Sequence, residues 1–368
     1  MALDFREVFA RHWKAYFKLH GARIPAAHRQ AAEAILACRT PALGGNLYRC
    51  ENCGDPHFAY HSCNHRLCPL CGQESARDWA HAQKAKLLPV PYSLVTFTVP
   101  QTLRELFRAH QQLCYALLFE CSAKALQELA AEPKYLGASL GFVSVLQTWS
   151  RQLIYHPHIH IIVPEGGLTP SGGWVRSKYP EYFLPVAKLS IKMRILMEKA
   201  CQRKAPELYA SVPRSVWREN WNTQIEAGGN GQHAIEYLGR YVSQSALSAN
   251  QIVAEDGRSV KLLYTESKTG LRKTLPLDGC EFIRRFLQHV LPTGFKRVRY
   301  YGWLSPAAHR RFARIQALLD WKPAITQRQD KPEPPQCRVC GKALILVTTW
   351  KRGRAPPPIV DISKPLYA

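Results

Sequence analysis

The sequence predicts an α+β protein, with helices covering one face of a central antiparallel sheet and a small helical, cysteine-rich module in front of it. Three observations predict this class. Segments rich in β-branched and aromatic residues occur at 92–99, 141–149 and 154–163. The connection between the last two is short, which suits an antiparallel pair. Stretches with apolar residues at helical spacing surround these segments.

The N-terminal part is predicted to be helical over 5–38 and over 75–88, where a pair of prolines at 89 and 91 ends the second helix. A cysteine-dense stretch lies between these helices. The following part begins with the strand at 92–99, and flexible glycines at 228–231 precede another helix. The expected domains are an N-terminal helical and cysteine-rich domain (1–88), a larger α+β domain (89–315) and a basic, Pro-rich tail with a Cys-x-x-Cys pair (316–368).

The other predicted elements follow from the spacing of apolar residues. They are, in chain order, helices over 101–131, 186–204, 213–226 and 232–246, strands near 260–265 and 271–276, and a helix over 278–290.

The charge of the chain points to a polyanionic partner. Lys and Arg number 50 against 27 Asp and Glu, which gives a net charge of +23 and a pI near 9.7. The N-terminus has no apolar core of a secretory signal, and no stretch approaches the ~20 apolar residues that cross a bilayer. We therefore expect a cytoplasmic, nucleoid-associated protein without a membrane partner. In that compartment, 12 cysteines favour metal ligands and buried thiols over disulfides.

Two Cys-x-x-Cys pairs, Cys50 with Cys53 and Cys68 with Cys71, are separated by 14 residues. Together they supply four thiolates, the set that structural zinc prefers, and a glycine after each pair permits a tight turn. All-thiolate ligation leaves no open position, so this Zn²⁺ is predicted to be structural. Cys63 and the histidines at 57, 61 and 65 lie inside the loop, as alternative ligands of this ion or as ligands of a second one. The distant pair at 337 and 340 has no neighbouring pair and is the weaker zinc candidate.

Three histidines share one face of the strand at 154–163, because side chains alternate across a strand. They are His156, His158 and His160, and the apolar residues at 159, 161 and 163 occupy the other face. The imidazoles of His158 and His160 are expected about 6.6 Å apart along the strand, close enough for one metal ion. Two imidazoles leave positions that a phosphate oxygen can fill, so this ion is a Lewis acid candidate.

The third ligand of this ion is expected from the preceding strand. Gln147 is the first choice, and His156 is the alternative. Mg²⁺ or Mn²⁺ suits phosphodiester chemistry; the histidines favour Mn²⁺, whereas abundance in the cell favours Mg²⁺.

Tyr237 and Tyr241 stand four residues apart on a predicted helix, so they lie side by side on one face, about 6 Å apart. Tyrosines at this spacing usually serve only to pack the helix against its neighbours. In a basic chain with a metal-binding strand they become a pair of candidate nucleophiles, because a tyrosine oxygen attacks a phosphate that a metal polarises.

Four segments resemble, in the same order, the two-tyrosine HUH rolling-circle transposases of bacterial insertion sequences. They are YHSCNHRLCPLC, QTWSRQLIYHPHIHIIVPEGGL, YLGRYVSQSALS and EFIRRFLQHVLPTGFKRVRYYG. The resemblance extends from about residue 10 to residue 315, and its most specific motifs are His-Pro-His-Ile-His and Tyr-Leu-Gly-Arg-Tyr. It implies that 1–88 is a helical and zinc-binding domain and that 89–315 is an HUH two-tyrosine nuclease domain. By this resemblance, His158 and His160 are the metal ligands and Tyr237 and Tyr241 the nucleophiles, while the third ligand stays open.

The resemblance implies a transposase that cleaves and rejoins single-stranded DNA, at transposon ends and target, through 5′-phosphotyrosine intermediates. The sequence contains no Gly-x-x-x-x-Gly-Lys-Ser/Thr motif. A host helicase and the replication machinery are therefore expected partners. Two alternatives stay open: an HUH replication initiator or relaxase-like nuclease, and a non-catalytic zinc-dependent DNA-binding protein.

The stretch 261–314 holds 12 Lys and Arg and three acidic residues, with aromatic residues such as Trp303 between them. Positive charge with interleaved aromatic rings suits a groove in which unpaired bases stack. The predicted DNA-binding residues are Lys268, Arg272, Arg284, Arg285, Lys296, Arg297 and Arg299.

Overall fold

The chain is described by a computed structural model over residues 3–178, 182–243, 245–266, 269–321 and 335–357. The helices are α1 (Phe5–His20), α2 (Ala26–Ala37), α3 (Gln73–Lys84), α4 (Arg104–Ala109), α5 (Gln111–Ala131), α6 (Val186–Lys204), α7 (Pro206–Ser211), α8 (Gln232–Ser243), α9 (Gly279–Leu287) and α10 (His309–Leu318). The strands are β1 (Gly44–Cys50), β2 (Pro56–Tyr60), β3 (Tyr92–Thr98), β4 (Gly141–Trp149), β5 (Tyr155–Pro164), β6 (Gly166–Leu168), β7 (Trp174–Arg176), β8 (Thr223–Ala227), β9 (Ile252–Glu255), β10 (Ser259–Thr265), β11 (Arg272–Asp278), β12 (Val298–Gly302) and β13 (Leu344–Lys351). Within these ranges, no helix combines the length and the hydropathy that crossing a membrane requires.

A five-stranded antiparallel sheet in the order β12-β4-β5-β3-β8 forms the centre of the molecule. In the β4–β5 pair, Val145 lies opposite His160 and Gln147 opposite His158. Strand β3 lies on the other side of β5, with Thr96 opposite His160. The predicted α+β class with a central antiparallel sheet is confirmed, and so is the predicted pairing of the strands at 141–149 and 154–163.

Helices cover both faces of this sheet, so the prediction of a single covered face is wrong. On one face, α5 and α6 pack over the core that contains Ile159 and Ile161 of β5. On the other face, α8 packs Ile235 and Leu238 against a core that includes Ile162 of β5. The histidines of β5 share this second face and give it a polar pattern in the sequence. This face also carries apolar side chains, and α8 buries them away from water.

A second core joins the N-terminal helices to the region that follows α8. The rings of Phe5 and Phe9 on α1 lie 5.7 and 5.6 Å from the ring of Phe286 on α9. Leu67 and Cys68, from the cysteine-dense stretch, belong to the same core. The boundary expected after residue 88 therefore does not separate two cores.

Strand β13, from the predicted C-terminal tail, completes a small sheet in the order β13-β1-β2. Gly45 of β1 lies opposite Trp350 of β13. A Cβ atom at Gly45 would lie 2.7 Å from the indole ring, so glycine lets this ring close over the sheet. The predicted tail therefore contributes a strand to the N-terminal module. Sequence periodicity missed this strand because most of its side chains are exposed.

Three predicted helices differ from the structure, and the first of them, over 5–38, is divided into α1 and α2. The helix predicted over 101–131 is divided into α4 and α5 at His110, whose φ of −124° and ψ of 47° are not helical. The segment 213–226 holds only a short 3-10 turn, Arg214–Trp217, before strand β8. Strand β8 pairs with β3, whose edge would otherwise expose unpaired backbone groups. This distant partner, and not local propensity, determines the strand.

Candidate functional site

The histidines of β5 lie on the sheet face that α8 covers. His158 is 7% exposed and His160 is 6% exposed. Their ring centroids are 4.7 Å apart with the rings nearly perpendicular. The strand geometry thus brings the two predicted metal ligands together in a water-poor position.

Each ring is held by its Nδ1 atom. Nδ1 of His158 donates to the carbonyl oxygen of His156 over 2.6 Å. Nδ1 of His160 lies 2.9 Å from Oγ1 of Thr96 on the neighbouring strand. Burial lowers the pKa of His158 well below its usual range and that of His160 to about 4. Both imidazoles are therefore neutral at physiological pH, the state in which histidine binds a metal.

Gln147 completes this arrangement from β4. Its Oε1 lies 3.1 Å from Nε2 of His160, and its amide nitrogen donates to the carbonyl oxygen of Trp149 over 3.0 Å. The second contact orients the amide so that its oxygen faces the histidine. Among the described residues, no Cys, Asp, Glu or third His joins this pair in a group of possible metal ligands.

His156 lies at the rim of the site and is bound by an arginine. Nη2 of Arg104, on α4, donates to Nδ1 of His156 over 2.7 Å. Burial and the neighbouring guanidinium lower the pKa of His156 to about 4. An Nδ1 atom that accepts a hydrogen bond has used its lone pair, so His156 does not offer this atom to a metal.

Tyr237 lies on α8 directly over the histidines. Its ring meets the ring of His160 edge-on, with centroids 5.6 Å apart and planes at 84°. Ile235 and Leu238 anchor the helix in the core beneath it. Tyr241 follows one turn later on the same helix, and its side chain lies outside the described part of the chain.

A basic cleft adjoins His156. Its volume is about 410 Å³, and four arginines, Arg104, Arg108, Arg284 and Arg285, line it together with Tyr155. Glu281 bonds to both Arg284 and Arg285, at 2.5 and 2.6 Å, and Glu105 bonds to Arg108 at 2.7 Å. Four arginines against two glutamates leave the cleft positive.

The predicted DNA-binding residues do not form one surface. Arg284 and Arg285 line the cleft, whereas Arg272 and Lys296 are exposed elsewhere, and Lys268 lies outside the described residues. The guanidinium of Arg299 lies 4.2 Å from the centre of the Phe119 ring, on the sheet face opposite to the histidines.

Arg297 contradicts the prediction of DNA contact. It is 5% exposed, and its guanidinium lies 5.4 Å from the centre of the Trp149 ring. Burial lowers its pKa to about 10. A guanidinium inside the protein does not reach a phosphate, so this prediction is wrong for Arg297. The sequence places it between two other basic residues, Lys296 and Arg299, and gives no sign of burial.

The two Cys-x-x-Cys pairs do not share one site, which corrects the predicted four-thiolate set. Cys68 and Cys71 group with Cys38 and Cys63, whereas Cys50 and Cys53 group with Cys337 and Cys340. Within each group, all sulfur atoms lie within 4.8 Å of one another. The Sγ atoms of Cys63 and Cys71 are 3.6 Å apart. Sulfurs around a tetrahedral zinc at about 2.3 Å are about 3.8 Å apart, so the donor sets fit structural zinc.

Sequence reasoning missed three residues of these sites. Cys38 is a single cysteine 25 residues before Cys63, without a pair of its own to mark it. Thr96 and Arg104 contact the histidines only because β3 and α4 pack beside β5. Their residue types are common on strands and helices, so only the pairing of the elements reveals them.

The chain is similar in sequence to known transposases. A family described as "Putative transposase" matches residues 141–311, and one described as "Transposase zinc-binding domain", of the IS91 type, matches residues 8–99. The chain is 36% identical over 351 residues to "Putative transposase y4qJ" of Sinorhizobium fredii (strain NBRC 101917 / NGR234), covering 90% of this chain and 88% of that protein. It is 28% identical over 285 residues to "Transposase for insertion sequence element IS801" of Pseudomonas savastanoi pv. phaseolicola, covering 74% of this chain and 68% of the relative. No solved structure matches the chain.

Proposed function

The chain belongs to the family of insertion-sequence transposases with an IS91-type zinc-binding domain, and we propose that it cleaves and rejoins single-stranded DNA by two-tyrosine, rolling-circle chemistry. The observation that carries this proposal is the position of Tyr237 edge-on against His160. A nucleophile beside a candidate metal site, both fixed to one sheet face, is the arrangement that phosphodiester transfer needs.

Three donors fit a divalent cation: Nε2 of His158, Nε2 of His160 and Oε1 of Gln147. Metal-ligating histidines usually donate their other ring N–H to a carbonyl or a hydroxyl, as Nδ1 of these two rings is placed to do. Gln147 is the better third ligand, because Nδ1 of His156 already accepts from Arg104. Bound there, Mg²⁺ or Mn²⁺ would neutralise charge on the phosphate oxygens.

Tyr237 and Tyr241 are the proposed nucleophiles. The phenol oxygen of one tyrosine forms a bond to phosphorus, and the bond from phosphorus to the 3′-oxygen breaks. The phenol releases its proton to water, and the 3′-oxygen takes one up. The products are a 5′-phosphotyrosine and a free 3′-OH. In the reverse step a 3′-OH attacks the phosphotyrosine, and the tyrosine leaves with its proton restored. Two tyrosines one turn apart let one site hold two DNA ends.

The basic cleft beside His156 is the proposed path of the strand. Arg104 connects it to the histidine site, and Arg108, Arg284 and Arg285 offer guanidinium groups for consecutive phosphates. Tyr155 lines the same cleft, though its hydroxyl is engaged with Tyr115. We propose that a host helicase and the replication machinery supply the single strand.

The test uses the purified full-length chain, divalent metal and single-stranded oligonucleotides that contain the ends of its element, labelled at either end. We expect the 3′-labelled fragment to become covalently attached to the protein and the 5′-labelled fragment to be released. EDTA should stop both events, and a duplex of the same sequence should stay intact. Binding without label transfer would instead identify a non-catalytic DNA-binding protein, and cleavage without a covalent adduct would exclude the tyrosine mechanism.

A conservative change tests the metal site separately. Thr96→Val removes the hydroxyl that holds Nδ1 of His160 and keeps the shape of the side chain. We expect the Mn²⁺ concentration for half-maximal cleavage to rise about 10- to 100-fold, with near-normal cleavage at saturating metal. Thr223→Val, a buried threonine of β8 that lies opposite Phe97 and therefore on the other sheet face, is the matched control. An unchanged metal requirement in Thr96→Val would contradict the assignment of His160.

A further inference from the structure

The second cysteine group (Cys50, Cys53, Cys337 and Cys340) combines two segments that are far apart in the chain. The Sγ atoms of Cys50 and Cys340 are 3.4 Å apart, and those of Cys53 and Cys337 are 3.6 Å apart. These contacts join residues 290 and 284 positions apart in the sequence. The match to the transposase zinc-binding domain ends at residue 99, so it does not include Cys337 or Cys340.

The two halves of this group have the same backbone geometry. In the first half, the N–H of Gly54 donates to the carbonyl of Cys50, and the N–H of Cys50 donates to the carbonyl of Asp55. In the second half, Gly341 donates to Cys337, and Cys337 donates to the carbonyl of Lys342. Both glycines have a positive φ, 75° and 73°, which closes the turn. Two such turns facing each other are typical of tetrahedral metal sites with four thiolates.

A histidine supports the charge of this site from outside. Nε2 of His57 lies 3.3 Å from Sγ of Cys337 and 3.0 Å from a carboxylate oxygen of Asp55. An N–H that donates to a bound thiolate stabilises its negative charge, as contacts around metal ligands commonly do.

The apolar contacts that hold strand β13 are few. Among the eight residues of Leu344–Lys351, only Leu344 and Trp350 are buried. The core around Leu344 contains otherwise only Cys50 and Cys337 as buried members. Trp350 packs edge-on against Phe58 and Tyr60 of β2. A strand with so little buried surface needs another source of stability, as small metal-bound modules generally do.

We propose that Cys50, Cys53, Cys337 and Cys340 bind a second zinc ion, and that this ion holds residues 335–357 to the N-terminal module. The chain would then carry two structural zinc ions with different roles. The first, at Cys38, Cys63, Cys68 and Cys71, lies beside the core shared with α9. The second joins two segments that are far apart in the sequence. The proposed catalytic region lies between these two segments in the chain.

The test measures zinc content and the hydrogen exchange of β13 in the full-length protein. We expect two zinc ions per chain in His158→Ala/His160→Ala protein, a background that removes zinc bound by those imidazoles. Adding Cys337→Ser and Cys340→Ser should remove one ion and speed amide exchange in Leu344–Lys351 at least 100-fold. Exchange in β4 and β5 should stay unchanged, which separates this loss from global unfolding. Cys280→Ser, outside both groups, is the matched control.

A second variant separates metal binding from the loss of a sulfur atom. The single change Cys340→His, made in place of the two serine changes, leaves a Cys₃His set, which structural zinc accepts. This variant should keep the second ion and the slow exchange of β13. The proposal is wrong if the serine variant keeps both ions. It is also wrong if one ion is lost while the β13 amides stay protected, since the strand would then be held by other contacts.

Discussion

The double variant Tyr237→Phe/Tyr241→Phe is expected to form no covalent complex with single-stranded DNA. Phenylalanine keeps the ring that packs edge-on against His160, so the fold and the metal site should persist. It lacks the oxygen that is proposed to bond to phosphorus. Removing an enzyme's nucleophile typically lowers the rate by on the order of 10⁴- to 10⁶-fold, which here takes cleavage below detection.

The single variants sharpen this expectation. Each keeps one of the two proposed nucleophiles, so each should still form an adduct at one DNA end but fail to join two ends. Tyr300→Phe is the matched control, because Tyr300 is a half-buried tyrosine packed against the same core as Tyr237. The readout is the labelled adduct on a denaturing gel. An adduct that persists in the double variant would overturn the assignment of both tyrosines.

Cys68→Ser is expected to unfold the N-terminal module together with the parts packed on it. Structural zinc contributes about 10–16 kcal/mol to the folding of small metal-bound domains, and a whole domain is stable by only about 5–15 kcal/mol. Cys68 is fully buried and lies in the core that α1 shares with α9. The loss should therefore reach beyond the zinc module into the region after α8.

This loss is measured as the zinc content and as the midpoint of urea unfolding. Cys201→Ser, a half-buried cysteine outside both groups, is the control and should leave both values nearly unchanged. The serine change at residues 337 and 340 should be milder, because few apolar contacts depend on that site. Native zinc content and a native midpoint in Cys68→Ser would rule out zinc at the first group.

The face that carries the candidate site could be predicted because its signals are local. Alternation along β5 separates His158 and His160 from Ile159 and Ile161, and the structure keeps that separation. The four-residue spacing of Tyr237 and Tyr241 places both on one side of a helix wherever the helix packs. The choice of Gln147 depends on strand pairing, and the register of β4 with β5 brings its oxygen to His160. Its role as a ligand stays a proposal.

The zinc sites could be predicted in part only. A Cys-x-x-Cys pair marks half of a zinc site by its own spacing, but the identity of the other half depends on which chain segments meet. The nearest pair in the sequence was the wrong partner, because the pairing of β1 with β13 brings Cys337 and Cys340 to Cys50 and Cys53. The predicted DNA contact of Arg297 is wrong for a related reason, because the burial of a side chain depends on how the chain packs and not on its composition.

By itself, the sequence determined the α+β class, the histidine strand, the tyrosine helix and the presence of thiolate pairs, because each depends on residues a few positions apart. The tertiary structure decided which cysteines share a site, that helices cover both faces of the sheet, and that Thr96 and Arg104 hold the histidines. These features depend on contacts between segments far apart in the chain. Such contacts form where they bury apolar surface and satisfy backbone hydrogen bonds across the whole fold, and no local sequence pattern predicts them.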